Sequence, residues 1–190
     1  KEIYRLKFKG GLAHQYQWWN EKSSAALVPA ESSRAFLRVQ RHKPGGGVVC
    51  QPTFEDWGGF VMTLERGIYM AKHTLDGDDN DPRGFYHSAY TAGGRVTMAG
   101  TMLIKRGKIV GVRADSGHYQ PTDMNMAFFL QALGMLGVEL RSLPVWDYTG
   151  NHSVKAIELM RGSLTWSKFN EQARLEAQRR PQDIPNVPTV

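Results

Sequence analysis

Two runs of β-prone residues, each folded around an Arg-Gly pair, constrain this chain more than any other feature. Phe60-Val61-Met62-Thr63-Leu64 and Ile68-Tyr69-Met70-Ala71-Lys72 flank Arg66-Gly67, while Thr97 to Ile104 and Lys108 to Val112 flank Arg106-Gly107. Short apolar runs around a glycine turn specify hairpins, and two in one chain call for an antiparallel sheet. The opening Ile3-Tyr4-Arg5-Leu6-Lys7-Phe8 alternates with a period of two until Gly10-Gly11 stops it, which predicts a half-exposed strand. From Ala13 to about Arg41 the pattern is mixed. Ser32-Ser33 suits the cap of a helix holding Phe36, Leu37 and Val39, yet those residues suit a strand equally. Pro44-Gly45-Gly46-Gly47 reads as a flexible loop.

Thr122-Asp123 is a capping pair for a helix starting near Met124. Its Met126, Phe129, Leu130, Leu133 and Leu136 recur at three- and four-residue steps as a buried stripe, and Gly137 ends it. Val138 to Trp146 predicts one more strand, and Ser153 to about Arg180 a helix. Pro181, Pro185 and Pro188 keep that helix from continuing. The fold class is therefore α+β, an antiparallel sheet of hairpins packed on one or two helices. Residues 1–150 form a single domain, and 151–190 a C-terminal helix with a Pro-containing tail. The length of 190 residues, 41% of them hydrophobic, suits one domain with a real core.

Lys+Arg minus Asp+Glu is 24 − 18 = +6, which favours an anionic partner: RNA, a phosphate-bearing ligand or an acidic protein surface. No window reaches the ~18 consecutive apolar residues of a membrane helix, so a soluble domain with no membrane partner is expected. The chain starts at Lys1 with no signal segment and reads as excised from a longer polypeptide or processed. A single cysteine, Cys50, rules out a disulfide framework and every zinc site built from two or more thiolates. Cys50 with His87, His118 or His152 as base would make a Cys-His nucleophile, whereas beside Val48 and Val49 it reads as a small buried side chain. Asp76, Asp78 and Asn80 have the spacing of a calcium loop. The sixth and twelfth positions, Asp81 and His87, lack the required glycine and glutamate, so no metal is expected.

Two phrases are denser than turns require. Gly84-Phe85-Tyr86-His87-Ser88-Ala89-Tyr90-Thr91-Ala92-Gly93-Gly94 and Asp115-Ser116-Gly117-His118-Tyr119-Gln120-Pro121 each lie at a strand end, and the second hairpin doubles back between them. They converge at one edge of the sheet if that hairpin forms. Two readings stand side by side: His118 and Tyr119 at the mouth of a cleft with Ser88, or histidines and Tyr119 in the core, donating to backbone carbonyls and locking turns.

The run His87-Ser88-x-Tyr90-x-Ala92-Gly93-Gly94, with Ala99-Gly100, Lys108-Ile109, Ser116-Gly117-His118-Tyr119-x-Pro121-Thr122, Leu133, Gly137-Val138 and Leu140, resembles the conserved domain of plant IQ-motif-containing calmodulin-binding proteins and its bacterial and fungal relatives. The resemblance covers roughly Phe60 to Leu140. It departs at Ala89-Tyr90, where the family phrase has Ser-Phe, and at Thr101, where a Glu is common. No IQ pattern stands in this sequence, so calmodulin binding is not expected. The bacterial relatives imply a secreted effector or polymorphic-toxin tip used in interbacterial competition, delivered into a target cell and matched by a cognate immunity protein. That context implies an NAD-dependent ADP-ribosyltransferase acting on a protein or RNA acceptor. His118, Tyr119, Ser88 and His87 would be catalytic, and Arg5 and Thr91 would bind the NAD cofactor. The usual arginine-serine-glutamate signature is absent, leaving Glu65, Glu139 or Glu158 as the carboxylate. A non-catalytic protein- or RNA-binding module and a Cys-His hydrolase toxin are the alternatives.

Overall fold

The computed structural model describes residues 3–15, 28–29, 57–71, 86–148 and 150–179. The Ser32-Ser33 segment, the Pro44–Gly47 loop, Cys50, the Asp76–Asn80 turn and the proline tail lie outside the described residues. The architecture is α+β. Strands β1 (Tyr4–Lys9), β2 (Leu12–Gln15), β3 (Val28–Pro29), β4 (Gly58–Thr63), β5 (Ile68–Ala71), β6 (Val96–Lys105), β7 (Lys108–Arg113), β8 (Pro144–Trp146) and β9 (Ser153–Lys155) form one sheet in the order β3-β2-β1-β5-β4-β6-β7-β8-β9. Every pairing is antiparallel except β7 with β8. A 3-10 turn (His87–Tyr90) precedes β6, and helices α1 (Asp123–Met135), α2 (Ala156–Met160) and α3 (Trp166–Arg179) complete the fold.

Both expected hairpins form. In the second, Arg106 and Gly107 take positive φ, the two-residue turn whose twist matches the strands. In the first the left-handed residue is Arg66 rather than Gly67, and Thr63 closes the turn by accepting from Arg66 N and donating to Gly67 O. A third hairpin joins β1 to β2 through Gly10-Gly11, both at positive φ. The sheet curls. Ala13 N donates to Gly107 O at 2.6 Å, so β2 meets the tip of the β6–β7 hairpin although three strands separate them in the sheet order.

Inside the curl lie Leu6, Phe60, Met62, Met70, Met98, Met102 and Val112, with α1 laid across them. Phe129 stacks on Phe60 with ring centroids 4.9 Å apart, and Met126, Leu130 and Leu133 are buried alongside. Thr122 and Asn125 cap α1 reciprocally. Asn125 Nδ2 also donates to Thr97 O at 2.8 Å, at a bulge of β6, which pins the start of the helix to the sheet. At the other end Val138 N reaches Leu133 O and Gly137 N reaches Gly134 O, a Schellman closure with Gly137 at positive φ.

Only Pro144–Trp146 of the expected Val138–Trp146 strand forms, because the closure spends Val138 on the helix end. The expected helix from Ser153 to Arg180 is broken. Ser153–Lys155 pairs with β8, and Gly162 at positive φ separates α2 from α3. Ala156, Trp166 and Phe169 nonetheless belong to the same core.

The β1–β2 turn packs backbone on backbone against the end of α1: a Cβ on Gly11 would run into the Gly137 carbonyl, whereas one on Gly10 meets nothing within 4 Å. Gly10→Ala is expected to cost about 1 kcal/mol, the left-handed penalty alone. Gly11→Ala should cost at least about 3 kcal/mol, because main chain must move. Urea unfolding of the two variants checks the difference.

Candidate functional site

Residues partnered across an antiparallel pair point to the same face, so Arg5, Tyr69, Val61 and Ala99, joined by register, lie on the outer face of the curl. Val61 and Ala99 are fully buried yet stand apart from the inner cluster. The 86–94 segment crosses the sheet here, and its rings fasten it to main chain.

His87 is 4% exposed. Its Nε2 lies 2.8 Å from Gly100 O. A carbonyl only accepts, so the imidazole holds its proton on Nε2 and donates it. Burial pulls the His87 pKa below its ordinary value. The Asp115 charge and the Gly100 bond act the other way without overcoming the lost hydration. Tyr90 donates to Gly59 O at 2.8 Å and reaches Ala71 O at 3.3 Å, two residues that are register partners in β4 and β5. Burial pushes its phenol above the usual range. The rings of His87 and Tyr90 lie nearly parallel, 6.3 Å apart.

The second phrase closes on the first. Tyr119 Oη donates to Gly94 O at 2.8 Å, Thr91 Oγ1 donates to the same carbonyl at 3.0 Å, and the two hydroxyls are 3.1 Å apart. Ser116 is buried and its Oγ accepts from Tyr119 N. His118 is exposed, standing edge-on to the Tyr119 ring at 5.1 Å. Ser88 is half-buried, its carbonyl accepting from Gly93 N. Thr91 and Tyr119 thus meet at Gly94 O, while His87 and Ser88 lie in the 3-10 turn that precedes them and His118 stands exposed beside Tyr119.

Arg5 does not join them. It lies three strand steps from Ala99 along the register, with its guanidinium 5.9 Å from the Tyr69 ring centre. Glu65 sits in the β4–β5 turn, Glu139 accepts from Arg141 N after α1, and Glu158 begins α2, so the three carboxylates occupy separate elements. Two open grooves among the described residues lie elsewhere. One, about 460 Å³, is lined by Arg5, Phe8, Arg66 and Leu136; the other, about 440 Å³, runs beside Met124 and Trp166.

Sequence reasoning missed a half-buried ionic cluster on the same face. Arg113 Nε donates to Asp115 Oδ2 at 2.6 Å, a second guanidinium nitrogen pairs with that oxygen, and Thr101 Oγ1 donates to it at 2.9 Å. Trp57 covers the Arg113 guanidinium at 5.8 Å and leans on Gly111, where a side chain would collide with the indole. The alternation Gly111-x-Arg113-x-Asp115 was the available signal. A second cluster ties β8 to α3: His152 bridges fully buried Asp147, at 3.1 Å, and Glu176, at 3.3 Å.

Comparison with known proteins agrees with the resemblance carried by the two phrases. The family described as IQ motif-containing protein middle domain matches residues 46–126. The chain is 34% identical over 74 residues to the IQ domain-containing protein IQM2 of Arabidopsis thaliana, covering 39% of this chain and 11% of that protein. It is 36% identical over 61 residues to IQM3, covering 32% and 13%, and 30% identical over 86 residues to IQM1, covering 44% and 16%, both from the same plant. The chain thus spans less than a fifth of each relative's length. No solved structure matches.

These relatives correct the functional expectation. The toxin, effector and NAD-dependent ADP-ribosyltransferase reading rested on bacterial context, and the proteins that match are plant IQ-domain proteins. The immunity protein loses its support with the toxin. The relatives' names likewise lend nothing to the exclusion of calmodulin.

Two outcomes follow from the geometry. His118→Ala should leave the melting temperature within about a degree of the parent, since an exposed ring contributes little to the fold. Because His87 takes up its proton at lower pH when folded than when unfolded, stability should be flat above pH 6.5 and fall below it as the unfolded chain protonates first. For one proton the slope stays at or below about 1.4 kcal/mol per pH unit. His87→Gln, which keeps a donor for Gly100 O, should flatten that slope in urea titrations between pH 8 and 5.

Proposed function

We propose that this chain is a non-catalytic protein-binding domain whose partner is acidic, with calmodulin as the candidate the resemblance supplies. One observation carries the reading: the side chains that suggested chemistry, His87, Tyr90 and Tyr119, each end on a main-chain carbonyl within 2.8 Å. Groups committed in this way hold a loop in place.

What the domain displays is charge. Arg5, Lys7 and Lys9 alternate along the exposed face of β1, and Lys105, Arg106 and Lys108 form the tip of the β6–β7 hairpin. The Ala13–Gly107 bond brings that tip against β2, whose His14 is the register partner of Lys7. Lys105 and Lys108 stand directly opposite one another, a like-charge pairing that costs stability in isolation and that an anionic partner relieves. Leu12, exposed and opposite Lys9, adds an apolar contact to the basic surface. A basic face with an apolar contact suits an acidic protein surface. In the absence of an IQ pattern, the sheet takes the place of a basic helix as the contact.

Isothermal titration of the purified chain against calmodulin, with calcium and with chelator, tests the reading. Binding in at least one state, weakened about tenfold or more by joint Lys105→Glu and Lys108→Glu and untouched by His118→Ala, is the expected result. The double reversal keeps a like-charge pair at the hairpin tip, so the fold should tolerate it. No heat at about 100 μM in either state, or binding indifferent to the reversal, rejects the proposal.

A further inference from the structure

Helix α1 carries a single charged residue, Asp123, at its first position; the other twelve of its thirteen positions hold none. A helix apolar on every side is ordinarily buried on every side. Its inner side is buried, with Met126, Phe129, Leu130 and Leu133 at or near zero exposure. Its outer side is open: Met124 is 66% exposed, Phe128 53% and Met135 70%, with Gln131 exposed between them. The positions 124, 128, 131 and 135 step by four, three and four residues. That is the d-a-d-a spacing of a helix seam that packs knobs into holes.

We propose that this seam is a homodimer interface in which α1 packs antiparallel against α1 of a second copy of the chain. The stripe is symmetric about the point between Phe129 and Leu130. A two-fold axis there sets Met124 against Met135 of the second copy and Phe128 against its Gln131, which is the self-complementarity an isologous contact requires. Charge follows the same axis. Asp123 marks the N-terminal end of the seam, and Arg66, whose guanidinium lies 3.5 Å from Met135 Sδ, marks the C-terminal end. The two-fold operation brings each Asp123 toward the Arg66 of the other copy. Asp123 already accepts from Ser167 N and Oγ, and a carboxylate keeps further lone pairs for a guanidinium. The groove of about 440 Å³ beside Met124, lined by Ala127, Leu159, Leu164 and Trp166, gives Met135 of the second copy a place to enter. Methionine suits such an irregular gap. Antiparallel helices also oppose their dipoles favourably.

Four seam residues a side make a smaller patch than the ~800 Å² per partner of a standard interface, so the dimer forms at roughly micromolar concentrations or above. Sedimentation equilibrium of the full chain from about 1 to 300 μM should show a reversible monomer–dimer equilibrium. Phe128→Glu should abolish it without lowering the melting temperature, since Phe128 lies outside the core. Orientation is read by oxidation in a Cys50→Ser background: Met124→Cys chains mixed with Met135→Cys chains should cross-link to each other in preference to themselves. A chain that is monomeric throughout the range overturns the proposal, as does a dimer that survives Phe128→Glu or cross-links preferentially between like positions.

Discussion

A buried imidazole donating to the carbonyl of Gly100 is the contact on which the outer half of this structure depends. Gly100 sits in the middle of β6, opposite Phe60 of β4, and a side chain there would collide with the Arg113 carbonyl. The strand is therefore clamped from two directions, by β7 crossing close to it and by the 3-10 turn above. Once His87 is seated, Tyr90 reaches the paired carbonyls of β4 and β5, and the glycine loop that follows presents Gly94 O to Tyr119 and Thr91. The two motif-bearing phrases are thus the two halves of one fastening. The low dielectric that makes such bonds strong also makes an unpaired member costly, so every ring must find its carbonyl for any of them to be stable.

The remaining polar groups sort by exposure. Arg113 and Asp115 are paired and sheltered under Trp57, where loss of either partner would leave a half-buried charge without its counterion. Asp115 Oδ1 is sealed from solvent with no hydrogen-bond partner among the described residues, so that carboxylate is held by one oxygen only. The lysines of β1 and the β6–β7 tip, by contrast, face solvent and are brought near one another only because the sheet curls far enough for β2 to meet that tip. Curl, fastening and charge display are consequences of one geometry.

Much of this was legible in the sequence. Arg66-Gly67 and Arg106-Gly107 announce their hairpins because a left-handed turn between β-prone runs has few alternatives, and the three- and four-residue rhythm of Met126 to Leu133 announces α1. The β1–β2 hairpin was hidden because Leu12-Ala13-His14-Gln15 is short and lacks β-branched residues; its stability comes from pairing and from the Gly11–Gly137 approach, which is tertiary. The break at Gly162 was hidden by helix formers on both sides. For the two phrases, residue type left catalysis and fastening equally open, since imidazoles and phenols serve both, and the distances to carbonyls could not be read from the sequence. The toxin reading failed for a different reason: it was inferred from the company that similar domains keep, and no residue spacing in this chain supported it.

The state of the His87 ring tests the account most directly. Nitrogen-15 NMR of the His87 side chain should show a neutral ring with its proton on Nε2 at neutral pH, and protonation only below the ordinary imidazole value. A His87 ring that gains its charge at or above the ordinary imidazole value, or that carries its neutral proton on Nδ1, would mean that the ring is not buried and donating to Gly100 O. The fastening described here would then be wrong.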